Sequence, residues 1–125
     1  MLTSTSSFGK EEKFVNATRA DMALYGQTFS NYFCISRKSK VKFDEAISLA
    51  VNKLSSVILI KHGGYLEGVD GEKMTNKQLL NGSSNLILET AFLTCPDQVP
   101  DKYARKIRKT IEERQKSIDQ ENNNN

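Results

Sequence analysis

The sequence has no tryptophan, one histidine, two cysteines and two prolines, and each shortage excludes a class of chemistry. A single histidine, with no CxxC or HxxxH spacing, leaves a closed tetrahedral zinc site without ligands. Cys34 and Cys95 lie 61 positions apart in apolar surroundings, which reads as two free buried thiols rather than a disulfide framework. Long hydrophobic runs are missing too: Val57 to Ile60 is as long as any, far below the roughly 20 residues of a membrane helix. No membrane partner is therefore expected. The opening Met-Leu-Thr-Ser-Thr-Ser-Ser lacks the positive and apolar regions of a secretory signal, so the reading is cytoplasmic.

Catalytic constellations are also scarce. Carboxylates pair as Glu11-Glu12, Asp44-Glu45 and Glu112-Glu113, but adjacent helical positions point about 100° apart and do not share a site. His62 precedes Gly63-Gly64 at the end of a helical pattern, where it suits the negative end of the helix dipole better than a general base. The glycine-rich run 62–71 lacks both the GK[ST] ending of a P-loop and the GxGxxG spacing of a dinucleotide fold. Asp70 and Glu72 are too few for an EF-hand. No catalytic residue, metal site or cofactor is expected, so the work of this chain is binding.

What the sequence does have is a segregated charge. Its 125 residues carry a net +3. Residues 22–43 contain Arg37, Lys38, Lys40 and Lys42 with no acid. Residues 101–118 hold seven basic residues (Lys102, Arg105, Lys106, Arg108, Lys109, Arg114, Lys116) against Asp101, Glu112 and Glu113. The two segments contribute four positive charges each, so the remainder of the chain is acidic.

The length suits one core. Residues 1–9 read as a flexible lead-in, 10–119 as a single helical domain, and 120–125 as a disordered Asn-rich tail. A first helix is expected over residues 10–33, where Val15, Met22 and Phe29 recur every seven positions and Gly26 marks a kink or a close helix crossing. Residues 35–41 read as a basic loop or a helix start, with Ser39 as the cap of the next helix. In that helix Phe43, Ile47, Ala50, Val51, Leu54, Val57 and Ile58 form the clearest periodicity in the chain. A Gly-rich loop follows. Thr75 and Gln78 open a short helix closed by Asn81-Gly82, and a further helix, or alternatively a buried strand, covers residues 86–94. Pro100 fits the first turn of a last helix with a narrow apolar stripe. The fold class is all-α: a small bundle of about four to five helices with a Gly-rich connecting loop.

Lys102, Arg105, Lys106 and Lys109 share one helical face, a row able to track a phosphate backbone, although a solvated helix surface would look the same. Arg108 adds to the cluster. The loop cations Arg37, Lys38, Lys40 and Lys42 lie beside Tyr32 and Phe33, which serve either base stacking or the core.

Small size, helices, a basic face and the absence of catalytic residues resemble the small subunits of CRISPR surveillance (Cascade-like) complexes. Residues 43–60, the Gly-rich loop after them, and residues 86–108 resemble the C-terminal helical region of the type I-D large subunit. In that family this region is also made separately as a small subunit from an internal start, which the Met-Leu-Thr-Ser-Thr-Ser lead-in would fit. The resemblance implies an antiviral ribonucleoprotein complex in which several copies contact the other subunits, the guide RNA and the target DNA backbone, and cut nothing. The alternative function is a helical protein-interaction or assembly module whose basic face meets an acidic protein.

Overall fold

The computed structural model describes residues 14–68 and 72–124; the lead-in expected at residues 1–9 lies outside the described residues. Among the described residues the chain forms four helices, α1 (Arg19–Lys38), α2 (Phe43–His62), α3 (Asn76–Thr94) and α4 (Asp101–Asn124), with a 3-10 turn at Pro96–Gln98. The fold is a small all-α bundle.

Within the helix expected over 10–33, residues 10–13 lie outside the described residues and 14–18 are not helical, because a capping box opens α1 at Arg19. Thr18 accepts a hydrogen bond from the Asp21 N–H, and the Asp21 carboxylate accepts one from the Thr18 N–H, each at 3.0 Å. That backbone bond holds the Asp21 carboxyl below its ordinary range. Upstream, Ala17 donates to the Tyr65 carbonyl and accepts from the Glu67 N–H, so this segment is tied to the loop after α2 rather than coiled.

The second helix follows its periodicity, burying Ala46, Ala50, Val51, Leu54 and Ile58. Gly63 terminates it at φ 63°, where the ring of Phe14 occupies the space a Cβ would need. Its start corrects the sequence reading. Ser39 does not cap α2 but closes α1, donating to the carbonyls of Ile35 and Ser36, and Lys42 precedes α2 without a side-chain cap.

The third helix runs unbroken through Asn81-Gly82, and residues 86–94 are helical rather than strand. Leu79, Ser83 and Ile87 are all buried on its inner side, whereas Gly82 faces open space. Burying two large aliphatic side chains contributes several times the roughly 1 kcal/mol that glycine costs a helix. Ser83 is an interior residue of α3, and its hydroxyl meets that of the buried Ser55 of α2 at 3.0 Å.

Helices α1, α2 and α3 enclose the core, with Phe33, Leu54, Ile58 and Ile87 fully buried. Gly26 meets Leu86, whose Cγ would lie 3.0 Å from an added Cβ, so the suspected close crossing is between α1 and α3. Farther along, Cys34 of α1 and Cys95, just past the end of α3, are joined by a disulfide, with Cα atoms 6.1 Å apart. This corrects the expectation of free thiols. The parallel run of α1 and α3 brings together two buried positions that are remote in sequence.

His62 is buried rather than exposed at a helix end. Its Nδ1 donates to the Val15 carbonyl, which can only accept, so in the neutral ring Nε2 accepts from the Tyr25 hydroxyl; both contacts are 2.7 Å. The residue clasps the N-terminal segment to the end of α2.

The last helix docks on α3 through Ala104 and Ile107, and every side chain from Glu112 to Asn124 is exposed. It extends through Asn124, so residues 120–124 of the tail expected to be disordered are helical, and Asn125 lies outside the described residues. No glycine or proline interrupts residues 101–124, and Gln115 bonds Asp119 one turn on. No helix among the described residues is long and apolar enough to cross a membrane.

Candidate nucleic-acid interface

The α1–α2 and α3–α4 connections lie at the same end of the bundle, which brings the two basic segments together. Phe43 begins α2 and Tyr103 lies in the first turn of α4. Their ring centroids are 5.0 Å apart, and Phe33 meets Phe43 edge-on at 5.8 Å. Lys42 precedes this aromatic row, and Lys102 places its Nζ 5.0 Å from the Tyr103 ring. Lys38 ends α1, while Lys40 stands in the turn at φ 73°, an uncommon conformation for a residue with a side chain.

Not every predicted contact is free. The Arg37 guanidinium donates from Nε to the Gln98 carbonyl at 3.2 Å and from Nη1 to the Val41 carbonyl at 3.1 Å, with its centre 5.8 Å from the Phe43 ring. It braces one connection against the other, which leaves fewer of its donors free for a phosphate. Phe33 is core, and Tyr32 is half-buried with Lys53 over its ring. Neither offers a stacking platform beside the basic loop.

Along α4 the cations of the row lie on one continuous helix. Lys102, Arg105, Lys106, Arg108 and Lys109 are all exposed, and no acid interrupts residues 102–111. Arg108 leans over Phe92 at 5.4 Å, a contact that leaves the rest of its guanidinium in solvent. Lys38, Lys40 and Lys42 are exposed as well. Asp44, Glu45 and Asp101 occupy the first turns of α2 and α4, so positive charge is densest along α4 rather than across the bundle end.

A protein-family profile, described as a domain of unknown function, DUF8650, matches residues 20–121. The chain belongs to the DUF8650 family. No curated protein and no solved structure matches it. The matched span of this DUF8650 domain takes in both basic segments and the Cys34–Cys95 bond.

One part of the DUF8650 surface escaped the sequence reading. Between α3 and α4 a groove of about 340 Å³ opens beside Lys106, with Leu88 and Ile107 in its floor. At one end Arg114 pairs with Glu89 at 3.0 Å, the single ion pair among the described residues. Glu89 and Arg114 are 25 positions apart, so only a helix register, invisible in one-dimensional spacing, could have joined them.

Proposed function

We propose that this DUF8650 domain is a non-catalytic, cytoplasmic small subunit of an RNA-guided surveillance complex, where it holds nucleic-acid backbone along α4. The observation that carries this reading is the juxtaposition of Lys38, Lys40 and Lys42 with the acid-free α4 row of Lys102, Arg105, Lys106, Arg108 and Lys109. Cations set along a rigid helix neutralise successive phosphates without reading bases, and counterion release supplies the affinity. Sequence recognition is left to guide pairing, and several copies side by side extend the path.

The test is the salt dependence of single-strand binding. With about four phosphates engaged, log K falls against log salt with a slope near −3, and Lys106→Gln with Lys109→Gln flattens it by about 1.4. Co-purification with nucleic acid, read from the 260/280 nm absorbance ratio, accompanies it. Unchanged slopes in the double variant would remove α4 from the path.

A second reading rests on α1, whose exposed side carries Leu24 and Ile35. Such a helix suits contact with another protein. It leads if a protein partner binds, Leu24→Ser with Ile35→Ser abolishes that binding, and nucleic acid does not bind.

A further inference from the structure

We infer that the α3–α4 groove receives one unpaired nucleobase of the bound strand. This deepens the reading of α4 as a phosphate path and rests on it. A nucleobase presents flat faces that avoid water, an edge of neighbouring donors and acceptors, and a phosphate a short way off. The groove offers a counterpart to each. Its apolar part comes from the buried Leu88 and Ile107 and the half-buried ring of Tyr103, set within a polar rim. At one end the Arg114–Glu89 pair sets a donor beside an acceptor, and both groups keep hydrogen-bonding capacity beyond the single 3.0 Å contact between them. The Watson–Crick edge of each unpaired base carries a neighbouring donor and acceptor, so the site tolerates any sequence. At the mouth stands Lys106, which belongs to both the groove and the cationic row, so a phosphate held by Lys106 leaves its own base beside the opening. The volume of about 340 Å³ lies at the small end of ligand pockets, suited to one base rather than a longer ligand. A simple anion would gain nothing from the apolar part.

The full chain is titrated with a short single strand, with the same backbone made abasic, and with a strand carrying the fluorescent base 2-aminopurine. The intact strand should bind about 5- to 150-fold more tightly than the abasic one, and 2-aminopurine emission should change on binding. Thr110→Trp and, from the opposite wall, Asn85→Trp fill the groove. Each should bring the two strands to equal affinity while leaving the salt slope as in the wild type; circular dichroism identifies the variant that keeps its fold. Lys102→Gln with Lys109→Gln should do the reverse, flattening the slope and leaving the intact-to-abasic ratio in place. Salt-dependent binding with no preference for the intact strand overturns the groove assignment alone, whereas absence of strand binding overturns the phosphate path as well. A free nucleoside monophosphate that binds as tightly as the strand would make the groove a nucleotide site and refute its place on a polymer.

Discussion

Reduction of the Cys34–Cys95 bond is the perturbation with the most calculable effect. The bond closes a loop of 61 residues between α1 and the turn after α3. Restricting the unfolded chain over a loop of that length is worth about 4 kcal/mol on the chain-entropy estimate. A domain of 125 residues has a total stability of roughly 6 to 19 kcal/mol, so the bond supplies a substantial fraction of it. Reduction leaves composition unchanged, which makes it a cleaner perturbation than replacing either cysteine in its buried site. Urea unfolding with and without a phosphine reductant measures the change, with alkylation and mass spectrometry confirming that both thiols are open. At a denaturant sensitivity of about 1 to 2 kcal/mol per molar, the midpoint should fall by about 2 to 4 M. Both forms should fold to the same helix content, because the buried core of Phe33, Leu54 and Ile87 packs without depending on the bond. Identical midpoints after complete reduction would refute the argument. The result also bears on location: thiol buffers keep most cytoplasmic cysteines reduced, so a chain working there must retain its fold at the lower stability.

Two smaller predictions concern the fold itself. Leu54→Ala should cost about 2 to 5 kcal/mol in chemical denaturation, since that side chain is wholly buried among α1, α2 and α3; a cost below about 0.5 kcal/mol would show that the buried face is misplaced. Thr18→Ala should cost about 1 kcal/mol by opening the cap of α1. Because the folded carboxyl of Asp21 is held low, the cap's contribution is complete above the ordinary carboxylate range and is lost as pH falls through the folded value. Melting curves taken from neutral pH downward should lose this component in the wild type and lack it in the variant.

How much of this was legible in the sequence differs by element. The second helix could be read nearly to the residue, because its apolar spacing, its first-turn carboxylates and Gly63 all point the same way. The third was split in two at Asn81-Gly82, since a local glycine signal was given more weight than the longer spacing of Leu79, Ser83 and Ile87. The α4 cations were legible because they share a helical face and stay in solvent. The role of Arg37 was not: its partner Gln98 is 61 positions away, and only the packed bundle brings that carbonyl within reach. The disulfide escaped for the same reason, as did the groove, whose walls come from two helices. Periodicity reports which face of an element is buried and is silent on what covers it.

The outer part of α4 has a consequence for how the molecule opens. The helix is about 36 Å long by its rise per residue, and after Ile111 only the Arg114–Glu89 pair ties it to the body. Its distal turns have no packing to lose, so their amides should exchange with solvent hydrogen at opening energies near zero, while those of α2 exchange only near global unfolding. The border between the two regimes should fall close to Arg114 and should not move when the disulfide is reduced. A strand lying along the helix would then register as new protection in those distal turns, in a region where global stability contributes none.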